Sequence, residues 1–260
     1  IKKTHFYEDI QAWSMSRDIL SGRFSEPELD ILPYAVKESE NVIDIGANFG
    51  MYTYPLSKLV GRKGIVYAYE PVPFTYKTLA KVVKNLSIHS VLLSNKAVSD
   101  TKGEISFSIP LQKSGQLMAG QAYLGTRNDD HPGKETQVRW DDLTEITCNT
   151  VTLDEEIDPS MNISFIKIDI EGAEYFAFKG AKKLIEINKP TILIEINPWF
   201  LDGFNLTLYD LLNPFEEKNY KLFKYEAHKL IQIDSYEKIE EDNYLLIHPK
   251  YINRFSSLFW

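Results

Sequence analysis

The chain has one cysteine, Cys148, among 260 residues, so an intrachain disulfide is excluded. With no CxxC pair and no Cys/His cluster, a structural zinc site is disfavoured as well. A reducing compartment fits this usage, and a cytoplasmic location is the expectation. No apolar run approaches the roughly 20 residues that cross a bilayer, and Ile1-Lys2-Lys3-Thr4 leads into polar sequence instead of a signal-peptide core. Basic residues are the minority, 29 against 37 acidic ones, for a net charge of -8. That sign repels a polyphosphate backbone and disfavours nucleic acid as a partner. Nucleophile elbow, P-loop and HExxH patterns are missing, so hydrolase, nucleotide-kinase and zincin readings lack support. Hydrophobic residues at 43% and charged residues at 25% are the proportions of a folded globular chain, not a disordered one.

What is present reads as one domain over residues 1–260. Residues 1–40 form a helical N-terminal extension, with Phe6, Ile10 and Trp13 at helical spacing. Within it Ser25-Glu26-Pro27-Glu28 reads as a capping box opening a helix with Leu29, Leu32 and Val36 on one face. From Asn41 onward short apolar runs alternate with amphipathic segments, the pattern of parallel strands joined by crossover helices. Strands are expected at Asn41–Ile45, Ile65–Glu70, Val91–Asn95, Ser164–Ile170 and Thr191–Ile196. Helices are expected at Gly50–Val60, Thr75–Asn85, Glu174–Ile187 and Thr207–Asn219. Residues 103–152 break the pattern as a small antiparallel β insertion, with strands at Glu104–Ile109, Gln137–Trp140 and Ile146–Val151. Its middle, Ser114 to Lys134, reads as a lid or as a surface loop. Three closing strands, antiparallel, are expected at Tyr220–Tyr225, His228–Ile233 and Asn243–His248.

The motif richest in chemistry is Val42-Ile43-Asp44-Ile45-Gly46-Ala47-Asn48-Phe49-Gly50, a strand running into a glycine turn and a helix. Gly46-x-x-x-Gly50 is not the dinucleotide GxGxxG, and the acid Asp44 before the turn suits a ligand bearing ammonium and sulfonium better than one bearing phosphates. A second strand ends in Glu70, about twenty residues beyond the glycines, where a carboxylate accepts hydrogen bonds from both ribose hydroxyls. Asn95 and Ala97 close the third strand, at the position for reading an adenine edge. Lys167 and Asp169 break an otherwise apolar buried strand near its carboxyl end, which calls for a site or a mutual ion pair. Glu171 and Glu174 follow in the first helical turn, where the macrodipole also favours acids. Asp169, Glu171 and Glu174 would suit magnesium or calcium, but a metal is not the expectation. Glu195 ends the fifth strand, placed to polarise an acceptor hydroxyl, with Trp199 beyond it as a stacking surface. His131, in the presumed lid, is a candidate general base and equally a solvated loop residue.

Taken together, Val42–Gly50, Glu70-Pro71, Asn95–Asp100, Thr152-Leu153-Asp154 and Ile166–Glu174 resemble the FkbM family of S-adenosylmethionine-dependent methyltransferases over residues 38 to 250. The resemblance implies an α/β fold, the class I methyltransferase Rossmann-like doubly wound sheet of seven strands, mostly parallel with an antiparallel last strand. It implies O-methylation, with S-adenosylhomocysteine as co-product and a small-molecule or saccharide hydroxyl as acceptor. Asp44, Gly46, Asn48 and Gly50 would then line the methionine end of the cofactor, Glu70 the ribose, with Asn95 and Ala97 beside the adenine. Asp169 would face the methyl group, with Glu171 and Glu195 as further catalytic candidates. Pro55, a few residues into the first helix, is a departure that should kink it. Two alternatives stand beside this reading. One is an RNA ribose 2′-O-methyltransferase using Lys167, Asp169 and Glu195. The other is a silent cofactor-binding interaction module using an exposed Phe255, Leu258, Phe259 and Trp260, a cluster that would equally serve a homodimer or pack on the body.

Overall fold

A run such as Asn-Val-Ile-Asp-Ile, apolar except for one acid, is suited to a strand covered on both faces. In the computed structural model, which describes residues 2–112, 123–124 and 138–259, this run is β1 (Asn41–Ile45), buried from Val42 onward. It is preceded by α1 (Lys2–Leu20), a 3-10 turn at Pro27–Ile31 and α2 (Leu32–Ala35). After it come α3 (Thr53–Val60), β2 (Val66–Tyr69), α4 (Pro73–Asn85) and β3 (Val91–Ser94). A second sheet is built from β4 (Ala97–Val98), just before the insertion, and from β5 (Gly103–Gln112), β6 (Tyr123–Leu124) and β7 (Val138–Val151) within it. Next follow α5 (Leu153–Glu156), β8 (Ile163–Ile168), α6 (Glu174–Lys179), α7 (Lys182–Asn188) and β9 (Thr191–Ile196). The chain closes with α8 (Pro198–Gly203), α9 (Leu208–Glu216), β10 (Lys221–Glu226), β11 (Lys229–Gln232) and β12 (Asp242–Ile247).

The main sheet runs β11-β10-β12-β9-β8-β1-β2-β3. Five central strands are parallel, and β12 enters antiparallel between β9 and β10. The expected antiparallel last strand is therefore present, but the sheet has eight strands instead of seven. The eighth is β11, paired to β10 through the two-residue loop Ala227-His228, both at positive φ. Positive φ at both loop residues matches the twist of a tight hairpin, although neither is Gly or Asn. Alternation along each strand sorts two cores. Ile43, Ile166, Ile192 and Leu246 face one side, under α6, α7 and α9, and Val42, Phe165, Leu193 and Leu245 face the other.

Several expectations are corrected. The single helix foreseen at 174–187 is two, because Gly180 has the Ser99 backbone where a side chain would stand. Asp154 then caps the second helix from outside, accepting from Lys183 N at 3.0 Å and Leu184 N at 2.9 Å. No capping box forms at Ser25, because Glu26 and Glu28 turn inward. In α1 the inward face is Glu8, Ala12 and Ser16, while Ile10 and Trp13 point outward. Polar contacts to α4 select that face, with Lys81 3.0 Å from Glu8 and Asn85 3.4 Å from Ser16. Pro55 makes no kink, since α3 begins only at Thr53 and a proline in the first turn removes an N–H that has no partner there anyway. The second and third insertion strands are one, β7, with a shift in register opposite Pro110/Leu111. The segment 114–134, apart from Tyr123–Leu124, and His131 with it, lies outside the described residues. The terminal cluster is not an exposed patch, since Phe255 and Leu258 are buried and the Phe259 ring sits 5.4 Å from Phe223. Trp260 lies outside the described residues.

Replacing Asp154 with Ala leaves two amide N–H groups at the start of α7 without their acceptor. Urea unfolding should show a loss of about 1–2 kcal/mol, within the range for caps and lost hydrogen bonds.

Candidate functional site

At the carboxyl end of β1 the chain turns at Gly46, where φ is +78°. A Cβ here would collide with the Asp169 backbone carbonyl, so only glycine lets this turn and the end of β8 approach so closely. The Gly46 and Ala47 N–H groups both donate to Tyr69 O at 3.0 Å. Glu70 completes the fastening, accepting from Asn48 N and Val72 N, each at 2.9 Å. Burial outweighs these hydrogen bonds and pushes the Glu70 pKa up to about 7. The Asn95 amide donates to Glu70 O at 2.8 Å and Pro71 O at 3.0 Å. It therefore positions Glu70 and is not turned toward a ligand.

Between these turns opens a first cleft of about 740 Å³ including its mouth, bounded by Gly46, Asn48, Glu70, Val72, Lys96 and Ala97. The Asn48 side-chain oxygen is buried with no partner among the described residues. A buried acceptor in this state is one that an outside donor would satisfy. Gly50 does something different, since it lines neither cleft and packs against Leu79 of α4.

A second cleft, about 890 Å³ with its mouth, shares Gly46, Asn48, Asp169 and Glu171 with the first. Sheet register pairs Asp44 with Lys167 and Glu195 with Asn243, and the first three of these line the cleft. These polar residues continue the face that carries Val42, Phe165, Leu193 and Leu245 one pleat below. Asp44 is 1% exposed and accepts from Thr53 Oγ1 at 2.5 Å. Burial, only partly offset by Thr53 and Lys167, pushes its pKa up to about 6. Lys167 is 2% exposed, with Nζ 3.4 Å from Asp169 Oδ2, 3.5 Å from Asn243 Oδ1 and 5.0 Å from the Tyr52 ring centre. Burial opposes its charge, but Asp169, Glu195, Glu26 and Asp44 together outweigh burial and raise its pKa.

Asp169 stands at the junction of the clefts, half-buried. Burial would raise its pKa, but Lys167 and a hydrogen bond from Glu195 hold it below the usual carboxylate value. Glu195 carries the shared proton, its own pKa raised first by burial and then by the Asp169 charge. Oxygens of Asp169, Glu171 and Glu195 lie within 4.8 Å of one another. Two of these acids relieve their repulsion through that proton, with the Lys167 ammonium beside them. Glu174 does not join them. It turns inward to accept from Ile170 N at 3.0 Å and Gly172 N at 3.3 Å, and burial pushes its pKa up to about 7. Trp199 lies on α8 beside Phe200, and Phe200 is the one that lines the cleft. Sequence reasoning missed Phe24, Glu26, Tyr52 and Asn243. Tyr52 OH donates to Glu26 at 2.6 Å, and Asn243 Nδ2 reaches the same oxygen at 3.4 Å. The only advance signal was a glutamate next to a proline, which reads equally well as a helix cap.

The model of a family described as the methyltransferase FkbM domain matches residues 44–222. No curated protein matches significantly. Among solved structures, an FkbM methyltransferase from Methylobacillus flagellatus KT is 18% identical, with a TM-score of 0.49 over 80% of this chain and 43% of that one. The chain thus spans less than half the length of that protein. An S-adenosylmethionine-dependent O-methyltransferase from Thermotoga maritima is 12% identical, TM-score 0.44, over 89% of this chain and 69% of that one. An rRNA methylase from Streptococcus thermophilus is 11% identical, TM-score 0.44, over 84% and 91%.

The raised pKa of Glu174 has a stability consequence. A carboxyl group protonated more readily in the fold contributes stability below its unfolded value of 4.5 that is lost as pH rises through about 7. Glu174→Gln keeps the accepting oxygen and removes the titration. Urea unfolding should find the variant close to wild type at pH 4.5 and more stable at pH 8, by on the order of 2 kcal/mol.

Proposed function

Because the chain belongs to the FkbM methyltransferase family, with S-adenosylmethionine as its cofactor, we propose that it methylates a hydroxyl of a carbohydrate or glycosylated small molecule. The observation that carries this reading is the meeting of two clefts at Asp169, an ionised carboxylate backed by a buried ammonium. The residues present suit the cofactor. Glu70 ends β2 where two ribose hydroxyls would reach it, the Asn48 oxygen lacks a donor, and Gly46 leaves backbone surface for close approach. When bound, S-adenosylmethionine supplies an electrophilic methyl group on a positively charged sulfur.

The chain's own residues then do three things. The walls of the second cleft hold the acceptor oxygen in line, and such positioning accounts for most of the acceleration in a displacement of this kind. Asp169 takes the hydroxyl proton as the oxygen–carbon bond forms and the carbon–sulfur bond breaks, leaving a neutral thioether. Its lowered basicity places proton removal late, once the oxygen has become acidic. The ionised Asp169 accepts a hydrogen bond from a sugar hydroxyl and the protonated Glu195 donates one, while the acidic lining of the cleft repels phosphates, which favours a sugar over RNA.

Asp169→Asn should lower turnover about 10²- to 10⁴-fold while cofactor affinity stays within about tenfold. The assay is transfer of labelled methyl from S-adenosylmethionine to a panel of methyl glycosides, read by mass. Turnover at the wild-type rate in the variant would remove Asp169 from its role. Label in RNA but in no glycoside would overturn the acceptor class.

A further inference from the structure

The amino-acid end of the cofactor has no obvious holder in the glycine turn. Asp44 is already engaged by Thr53 Oγ1 at 2.5 Å, and Gly50 is committed to Leu79. That end is a zwitterion, one ammonium and one carboxylate on the same carbon, so its complement is an anion and a cation placed close together. The second cleft contains such a pair on its floor and outer wall. Lys167 is the only lysine or arginine among the described residues lining it. Its ammonium is charged, and its polar contacts, 3.4 Å to Asp169 and 3.5 Å to Asn243, lie at the outer limit for hydrogen bonds. Glu26 comes from the segment before the 3-10 turn, its carboxylate aimed by Tyr52 OH at 2.6 Å. Asn243 ties the two together, its Oδ1 toward Lys167 and its Nδ2 toward Glu26, so both charges flank a single side-chain amide.

We propose that Glu26 and Lys167 clamp the amino-acid end of S-adenosylmethionine, Glu26 taking the ammonium and Lys167 the carboxylate. The side of the cleft formed by Asp169, Glu195 and Phe200 is left to the acceptor. Glu26 and Asn243 both lie outside the stretch 44–222 that carries the family match. The clamp is thus completed by the chain's N-terminal extension and its last strand. It rests on the cofactor assignment above and not on the nature of the acceptor.

Three adenosyl ligands separate the charges without any acceptor. S-adenosylhomocysteine carries both, decarboxylated S-adenosylmethionine keeps only the ammonium on its side chain, and 5′-methylthioadenosine has neither. In calorimetric titrations of the full chain, Glu26→Gln should weaken the first two by about tenfold or more and leave the third within about twofold. Lys167→Met should weaken S-adenosylhomocysteine alone. Should that variant fail to fold, Glu26→Gln with three ligands decides by itself. An equal loss for all three ligands, or no loss for any, would overturn the clamp. Wild-type binding of 5′-methylthioadenosine as tight as that of S-adenosylhomocysteine would overturn it while sparing the cofactor assignment. Binding of none of the three would remove both.

Discussion

The site is organised around one buried ammonium. Lys167 sits on a strand with hydrophobic neighbours on both sides, a location in which an isolated charge is untenable. It survives because Asp44, Asp169, Glu195 and Glu26 converge on it from β1, the end of β8, β9 and the N-terminal extension. The dependence is mutual, since Lys167 is the charge that holds Asp169 below the usual carboxylate value against burial. With it, Asp169 stays ionised and Glu195 keeps the proton. A base and a hydrogen-bond donor thus arise from two chemically similar acids, separated by environment alone.

A second constraint is the close approach of the β1 turn to the end of β8. Gly46 lies against the Asp169 backbone, and the Asp169 N–H donates to Ile45 O at 3.1 Å. The residue that divides the two clefts is therefore held by main chain, and its side chain is free to serve chemistry. Glu70 plays the matching part on the other flank, tying the glycine turn to the start of α4 through two amides. Rigid anchoring of this kind allows the glycine turn to serve both clefts at once.

Contributions from the two ends of the chain complete the second cleft. Phe24 and Glu26 wall it from the N-terminal side, and β12 brings Asn243 beside Glu195 because it inserts antiparallel next to β9. The order of strands, with β12 between β9 and β10, brings a late segment against the cleft, which Glu241 lines just before β12 begins. The family match ends before that strand and begins after Glu26. Residues inside the family match and segments on either side of it thus build the second cleft together.

The sequence by itself determined the parallel sheet, the glycine turn, and the placement of Asp44, Glu70, Asp169 and Glu195 at carboxyl strand ends. Those features follow from local rules, because a buried strand must be apolar and every polar interruption near its end announces itself. The strand readings at Asn41–Ile45 and Thr191–Ile196 coincide with β1 and β9 for the same reason. Tertiary structure alone decided which acids point into the cleft. Glu174 and Glu195 look alike as residue types, yet one ties its own loop and the other faces Asp169. Asn95 stands just past the third strand, where its amide donates to two backbone carbonyls, a use its place in the sequence did not announce. Glu26 and Asn243, 217 positions apart, meet only because the sheet brings them together. A contact of that range has no local signature, since its energy comes from neighbours that exist only once the chain has folded.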